Sequence, residues 1–308
     1  MTVRRSVRKN AEVSDPVKGF DYFRPTTVEE AVILYNEGGN RARLLAGGTE
    51  LVNEMRFGKS QPEQVIDLKH IGGLDFMELT RERLRIGALY RVRDAECSGA
   101  LRHSPFGALS FAAGTLGSPQ VRNKATIVGN VCRASPSADL IPPLIALGAR
   151  AKIVGKGTER TVAVEEMLLG PGKTVVETGE IVTELDMANV QDHTGCSYYK
   201  LSPRKSLDLA VVGVAVMVRI DHRTSRCIDA RIVLGAVAPT AIRVPRAESI
   251  LIGSRLSESA VQAAARVASD EAKPLDDVRA SAWYRKKMVD VVVRRTIALA
   301  LEQTGKRR

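Results

Sequence analysis

Aromatic residues are scarce, making up 4% of the 308-residue chain with a single tryptophan. Single-strand nucleic-acid binders stack bases on exposed rings, so that class lacks its main recognition device here. Cysteine is equally sparse: Cys97, Cys132, Cys196 and Cys227 stand far apart, with no C-x-x-C pair. His70, His103, His193 and His222 have no ligand spacing either. No zinc or iron–sulfur centre held by this chain is expected, and isolated thiols suit a reducing compartment. Long apolar runs are missing. The most apolar segment, residues 211–220, falls short of the roughly 18 residues a membrane span requires and reads as a buried strand. The first sixteen residues are basic and polar, without the apolar core of a secretory signal, which favours a cytoplasmic location. Acidic charge is in deficit, 35 Asp and Glu against 46 Lys and Arg, for a net charge of +11. The basic residues are scattered, with local clusters only at the two ends. That pattern favours an anionic cofactor or an acidic protein partner over nucleic acid. Catalytic signatures are also missing: no G-x-S-x-G elbow, no H-E-x-x-H and no local Cys-His pattern. Redox chemistry, if the chain takes part in any, then belongs to a bound organic cofactor.

What is present is length enough for two or three packed units. The stretch that organises the chain runs from Arg122 to Gly148, R-N-K-A-T-I-V-G-N-V-C-R-A-S-P-S-A-D-L-I-P-P-L-I-A-L-G. Gly129 and Asn130 tolerate turn geometries, and Ser135-Pro136 reads as a helix cap and first helical residue. Such a turn gathers unpaired amide donors that suit a phosphate or pyrophosphate. A second device lies upstream, where Arg43-Leu44-Leu45-Ala46 runs into Gly47-Gly48-Thr49-Glu50-Leu51. There Gly47 and Gly48 allow close backbone approach and Thr49 offers a hydroxyl, although a plain strand-to-helix turn has the same spacing. Glu50 fits a phosphate site only if it points away or binds a ribose hydroxyl. Asp139 can cap a helix or hold a ribose or adenine donor. Two anion cradles with no Rossmann or Walker pattern are the central clue.

In chain order, residues 1–18 are expected as a mobile basic tail. Thr27 to Tyr35 predicts a helix with a capping box completed by Glu30, with Ala31, Leu34 and Tyr35 on one face and Gly38-Gly39 as its stop. Strands are expected over 43–46 and 64–68, with a helix between them through Leu51, Val52 and Met55. A hairpin over 76–89, short helices over 93–97 and 106–113, and strands over 150–154, 160–164 and 180–185 follow. From Cys196 the character changes to an antiparallel sheet over 197–202, 211–220 and 231–237. Helices over 246–252, 258–272 and 281–301 come last, the final one striped by Met288, Val292, Arg295 and Leu299 and lying over the sheet. The expected division is 19–195, with lobes of about 19–74 and 75–195, and 196–308.

The run A-T-I-V-G-N-V-C-R-A-S-P-S-A-D-L-I-P-P-L-I-A-L-G-A, with A-G-G-T-E upstream, resembles the FAD-binding (medium) subunit of the molybdenum hydroxylases. That family includes xanthine dehydrogenases, aerobic carbon monoxide dehydrogenases and related hydroxylases. The likeness continues through Tyr199-Lys200-Leu201-Ser202-Pro203-Arg204, Asp208-Leu209-Ala210, G-A-V-A-P-T at 235–240 and S-A-W-Y-R-K-K-M at 281–288, covering roughly 19–302. It implies an α+β architecture: a two-lobed FAD-binding fold of the vanillyl-alcohol-oxidase (PCMH) type, then a C-terminal antiparallel sheet covered by helices. Position by position, Leu44, Leu45, Ala46, Gly47, Gly48, Thr49, Glu50 and Leu51 would wrap the diphosphate and ribityl chain with Thr126, Ile127, Val128, Gly129 and Asn130. Leu116, Asp139, Val182 and Lys200 match further positions that touch FAD in similar proteins. Leu116 stands where some relatives stack an aromatic ring. Lys200 can stabilise negative charge on reduced flavin, against the alternative of a surface salt bridge. Of Tyr198 and Tyr199, strand alternation lets only one face the ring system.

Many relatives have T-I-G-G-N where this chain has Thr126-Ile127-Val128-Gly129-Asn130. Valine resists positive φ, so a cradle needing that geometry would be shifted or bind FAD more weakly. The Cys-rich insertion of the benzoyl-CoA-reductase-like branch is missing. The resemblance implies an oxidoreductase subunit that passes electrons from [2Fe-2S] clusters on a small partner to an external acceptor. Molybdopterin would sit on a large partner subunit, in a dimer of heterotrimers. The alternatives are a free-standing flavin-dependent oxidoreductase, a cofactor-less scaffold subunit, and a nucleic-acid binder.

Overall fold

A computed structural model describes residues 17–204 and 207–305, together with the backbone of Arg5 and Ser6. The basic tail expected over 1–18 falls almost wholly outside the described residues.

The first lobe is a four-stranded sheet in the order β1-β2-β4-β3. It is built from β1 (Arg5–Ser6), β2 (Asp21–Phe23), β3 (Ala42–Leu45) and β4 (Gln64–Asp67). β2 and β3 both run parallel to β4, which requires crossovers. The first crossover is α1 (Val28–Gly38), the second α2 (Leu51–Arg56). α1 starts as its sequence dictates: Thr27 Oγ1 accepts the Glu30 N–H at 3.1 Å. The Glu30 carboxylate reaches back to the Thr26 N–H at 2.8 Å, one residue earlier than a standard capping box. Gly39, at φ 54°, caps the helix end.

The second lobe is a five-stranded antiparallel sheet, β5-β6-β11-β7-β8. Its strands are β5 (Met77–Leu79), β6 (Arg83–Gly87), β7 (Arg150–Gly155), β8 (Thr158–Ala163) and β11 (Ile181–Ala188). A small hairpin of β9 (Leu168–Gly170) and β10 (Lys173–Thr174) lies beside it. Between β6 and β7 come α3 (Val92–Cys97), α4 (Gly99–Arg102), α5 (Gly107–Thr115), α6 (Pro119–Arg122), α7 (Ile127–Arg133) and α8 (Ile141–Ala146). The single turn α9 (Val164–Met167) follows β8.

The third sheet, β12-β13-β14-β15, comprises β12 (Thr194–Leu201), β13 (Val212–Asp221), β14 (Arg226–Gly235) and β15 (Ile242–Arg243). Its helices are α10 (Pro245–Leu251), α11 (Glu258–Glu271) and α12 (Ala282–Thr304). Strand alternation divides its side chains between two cores. Cys196, Tyr198, Ala215, Met217 and Val233 join the core that runs through the lobes. Val212, Val214, Val216, Val218, Ile232 and Leu234 pack instead with the helices. Burial on both faces explains why β13 reads as an unbroken apolar run.

The stripe expected on α12 is displaced. Arg295 and Leu299 are exposed, and the buried face runs through Arg285, Val289, Val292, Val293, Thr296, Ile297 and Ala300. The 3.6-residue period was legible, but only packing fixes its phase, and a buried arginine disguises it. A Cβ on Gly195 would lie 1.8 Å from the Ala300 carbonyl oxygen, so α12 lies directly on the start of β12.

Arg285 is 4% exposed and ties this domain together, donating to Val211 O and Ala236 O at 2.9 Å each and pairing with Asp277 at 2.7 Å. Burial opposes the Asp277 carboxylate, but the N–H groups of Arg279 and Ala280 and the Arg285 guanidinium outweigh it and hold its pKa at about 2. A depressed carboxylate stabilises above its unfolded value and loses that contribution as pH falls through the folded one. Urea unfolding should therefore show the Asp277 contribution disappearing between about pH 4 and about pH 2, a slope that Asp277→Asn removes. At neutral pH Arg285→Met should cost ~3–5 kcal/mol, because it strands two buried carbonyls and a carboxylate.

Candidate functional site

The parallel strands β3 and β4 end side by side, Leu44 opposite Ile66 and Leu45 opposite Asp67. Ala46 to Glu50 form the loop beyond, and α2 begins at Leu51. Among the described residues no acceptor takes the N–H of Gly47, Gly48, Thr49, Glu50 or Leu51. The helix's first closing bond is Val52 N–H to Gly48 O at 3.1 Å. Gly48 sits at φ 75°. Gly47 is required by close approach, since a Cβ there would lie 2.0 Å from the Lys124 carbonyl oxygen. The two stretches singled out in the sequence therefore touch, Gly47 against Lys124 and Ala125.

Asp67, 1% exposed, braces this loop from below. It accepts from the Tyr22 hydroxyl and pairs with Lys69 at 2.6 Å, and Lys69 Nζ also reaches Ala46 O at 3.4 Å. Burial pushes the Tyr22 hydroxyl up to about 12, with the Asp67 bond adding to it. Burial also opposes charge on Asp67, but Lys69 and Tyr22 together hold its carboxyl below the ordinary range.

The second stretch differs from its sequence reading. Gly129 and Asn130 lie inside α7, not in a turn, and the cap is Thr126, whose Oγ1 accepts the Gly129 N–H at 3.0 Å. Ser135 caps no helix; α7 ends at Ala134, φ 48°, and α8 starts only at Ile141. The tandem prolines Pro142 and Pro143 explain this, because a helix begun at Pro136 would place both in its interior. A start at Ile141 puts them in the first turn, where no N–H is needed. Val128 is helical and 3% exposed, so the strain expected from a positive φ does not arise. Thr126 and Ile127 are buried too, at 4% and 0%, leaving Gly129 and Asn130 as the partly open positions. Asn130 Oδ1 is buried without a hydrogen-bond partner. Glu50 is turned to Arg133, at 2.9 Å, and Arg133 also pairs with Glu54 at 3.1 Å. That pairing offsets a carboxylate that would otherwise repel a bound anion.

Asp139, 4% exposed, accepts from the Tyr198 hydroxyl at 2.9 Å and from Lys200 Nζ at 2.8 Å. Lys200 also donates to Thr115 O at 2.9 Å, directly before Leu116. Leu116, Asp139 and Lys200 thus come together, and Lys200 is no surface ion pair, its side chain being 6% exposed. Burial raises the Asp139 carboxyl above the ordinary range, and Lys200 and Tyr198 offset this only in part. Burial, with Asp139 adding to it, keeps the Tyr198 hydroxyl protonated far into the alkaline range. Tyr199, on the opposite face, packs with the helices. Val182 is 5% exposed in β11, opposite Ile153 and in the strand against which α7 packs.

Sequence reasoning missed Asp67, Arg133 and the part-buried pair Arg122–Glu96. Arg122 grips Glu96 at 2.7 and 3.1 Å and Leu116 O at 2.9 Å, fixing the turn at Leu116. No local pattern announces such partners 26 residues apart. A diphosphate can be tested against this donor set. Five consecutive free amides suit its oxygens, and the orphaned Asn130 Oδ1 requires a donor such as a sugar-alcohol hydroxyl. The residues fit FAD.

Comparison with known proteins agrees. The family described as the FAD binding domain in molybdopterin dehydrogenase matches residues 18–187, and the CO dehydrogenase flavoprotein C-terminal domain matches 197–300. The carbon monoxide dehydrogenase medium chain of Hydrogenophaga pseudoflava is 35% identical, over 91% of this chain and 96% of its own length. The 6-hydroxypseudooxynicotine dehydrogenase complex subunit alpha of Paenarthrobacter nicotinovorans is 33% identical, over 92% of this chain and 95% of its own. A solved structure of Hydrogenophaga pseudoflava carbon monoxide dehydrogenase, in the form lacking the Mo-pyranopterin moiety of its molybdenum cofactor, superposes with a TM-score of 0.88. It is 33% identical and covers 92% of this chain and 98% of the matched chain. Both matched families in the expected order, and a shared fold over nearly the whole length, place this chain in the family of FAD-binding subunits of the molybdenum hydroxylases.

Proposed function

We propose that this chain is the FAD-carrying electron-transfer subunit of a multi-subunit molybdenum hydroxylase. It would dock with a large molybdopterin-binding subunit and a small [2Fe-2S] subunit, as a dimer of heterotrimers in the cytoplasm. The observation that carries the reading is the contact between the Gly47 loop and the Lys124–Ala125 backbone, which joins the loop's five free amides to the second motif. The division of the chain near residue 195 belongs to the same proposal. FAD, when bound, supplies the redox chemistry, receiving electrons from one carrier and yielding them to an external acceptor.

This chain's residues bind and tune. Gly47 to Leu51 hold the diphosphate with main-chain N–H groups, while Leu44, Leu45 and Ala46 place that loop. Asn130 Oδ1 accepts from a hydroxyl of the cofactor chain, and Gly129 leaves room beside it. Thr126, Ile127, Val128 and Val182 are buried and act by fixing α7 and β11. Leu116 and Lys200 belong to the flavin end, where the ammonium, tied to Asp139 and Thr115 O, sets the local charge. The positive net charge favours docking against acidic partner faces.

The assembled heteromer should release flavin on denaturation. Omitting this chain should abolish substrate-driven reduction of the external acceptor while the iron–sulfur clusters remain reducible. A heteromer free of flavin, or this chain oxidising substrate alone, contradicts the proposal. Gly47→Ala should push the loop off Lys124 and weaken flavin retention at least about tenfold, the equivalent of ~1.4 kcal/mol; full flavin content in that variant would refute the cradle. Lys200→Met should cost ~3–5 kcal/mol of stability and make bound flavin harder to reduce, whereas Asp139→Asn should make it easier. A purely structural Lys200 would leave the flavin potential unmoved in both.

A further inference from the structure

At the opposite end of β12 from Lys200, a second polar site lies on the seam between the second lobe and the third sheet. Thr194 is six positions along the strand, about 20 Å away at a rise of about 3.3 Å per residue. A cleft of about 190 Å³ opens there, lined by Asn189 and Gln191 after β11 and by Thr194, Arg219, Asp229 and Arg231 of the sheet. Register explains the grouping: Thr194 pairs with Arg219 and Arg219 with Asp229 in one cross-strand row. Arg231, paired with Met217, stands on the same face two residues on.

The cleft holds more hydrogen-bonding capacity than the protein itself uses. Thr194 is 3% exposed, yet its Oγ1 has no partner, and neither does Asn189 Oδ1 or Arg219 Nε. Asn189 cannot turn to help, because its amide nitrogen donates to Thr80 O at 3.4 Å and Arg81 O at 3.0 Å, which fixes Oδ1. Arg219 is steadied by Gln191 Oε1 and Arg231 by Ala146 O at 3.3 Å. Among the described residues neither guanidinium lies within 4.0 Å of a carboxylate. Asp229 stands opposite Arg219 in that row without forming an ion pair with either guanidinium, so both keep N–H donors that a ligand carboxylate can take. Asn189 Oδ1 and Asp229 are acceptors and call for a donor on the same molecule. Burying such atoms unpaired is costly, so they call for a partner from outside the chain, either ordered water or a ligand.

We propose that this cleft binds a small hydroxy acid, its carboxylate between Arg219 and Arg231 and its hydroxyl on Asn189 Oδ1 and Thr194. The ligand bridges the second lobe and the third sheet, so binding stabilises their seam and raises the unfolding temperature with the logarithm of ligand concentration above its dissociation constant. It is separate from the flavin end, and saturating FAD does not compete for it.

The test uses the full chain with its flavin bound, titrated calorimetrically with L-lactate, acetate and inorganic phosphate, and melted in parallel. L-lactate should bind saturably, one per chain, at least about tenfold more tightly than acetate, which lacks the hydroxyl. Thr194→Val and Arg219→Gln should each weaken it about tenfold or more without changing flavin content or absorbance. Thr194→Val preserves side-chain volume, so it remains informative if the arginine variant fails to fold. Equal, unsaturable responses to all three anions, tighter binding of phosphate, or unchanged binding in Thr194→Val would overturn the proposal.

Discussion

The interior depends on one buried carboxylate. Asp139 comes from the turn between α7 and α8, and its two oxygens take Tyr198 and Lys200 from β12, with Lys200 continuing to the carbonyl that ends α5. Three segments of distant sequence thereby meet around a charge pair that water scarcely reaches. Removing two ions from water costs several kcal/mol each, and their attraction repays this only when the remaining polar atoms are bonded as well. Here Tyr198 occupies one oxygen and Lys200 spends a second proton on Thr115, so the cluster is nearly complete. An apolar trio of equal volume would hold the same segments together, but it could not set the sign of the field at the end of α5.

Periodicity and caps made most elements legible. The start of α1 follows from Thr27 and Glu30, its end from Gly39, and β13 from an apolar run that only two-sided burial explains. What stayed hidden was decided by partners far along the chain. Asp139 looked like a helix cap because Ser135 and Pro136 precede it, and the tandem prolines that postpone the helix to Ile141 carry more weight than that local signal. Val128 looked like a defect because many relatives have glycine at its position. In α7 it needs only ordinary helical geometry, and its side chain fills the core. On α12 the hydrophobic period was visible and its phase was not, since the position that anchors the helix is an arginine.

The two stretches that suggested a cofactor do different work. The Gly47 loop is an open run of amides, made possible because parallel strands end together and Asp67 and Lys69 brace the exit. The Thr126 stretch is chiefly scaffold, three of its five residues being buried, and offers Gly129 and Asn130 at its surface. Glu50, an apparent obstacle, is neutralised by Arg133 from the other stretch. The same ion pair that removes the repulsion also links the loop to α7, so charge compensation and positioning are one interaction.

Two-sided burial of the third sheet has a consequence for how the matched domains relate. Met217 and Val233 belong to the core of the lobes, while Val216 and Ile232, their immediate chain neighbours, belong to that of the helices. Separating the two matched regions would expose the first set to water, so the C-terminal region carries one apolar face that the lobes cover. Along most of this seam the covering residues are apolar and need nothing further. Near its far edge the apolar pattern gives way to Thr194, Arg219, Asp229 and Arg231, with Asn189 opposite. Polar groups at an internal joint weaken it unless they are bonded. The joint is therefore sealed by hydrocarbon over most of its length, closed at one end by the bonded Asp139–Tyr198–Lys200 cluster, and left dependent, at this edge, on whatever satisfies those five side chains.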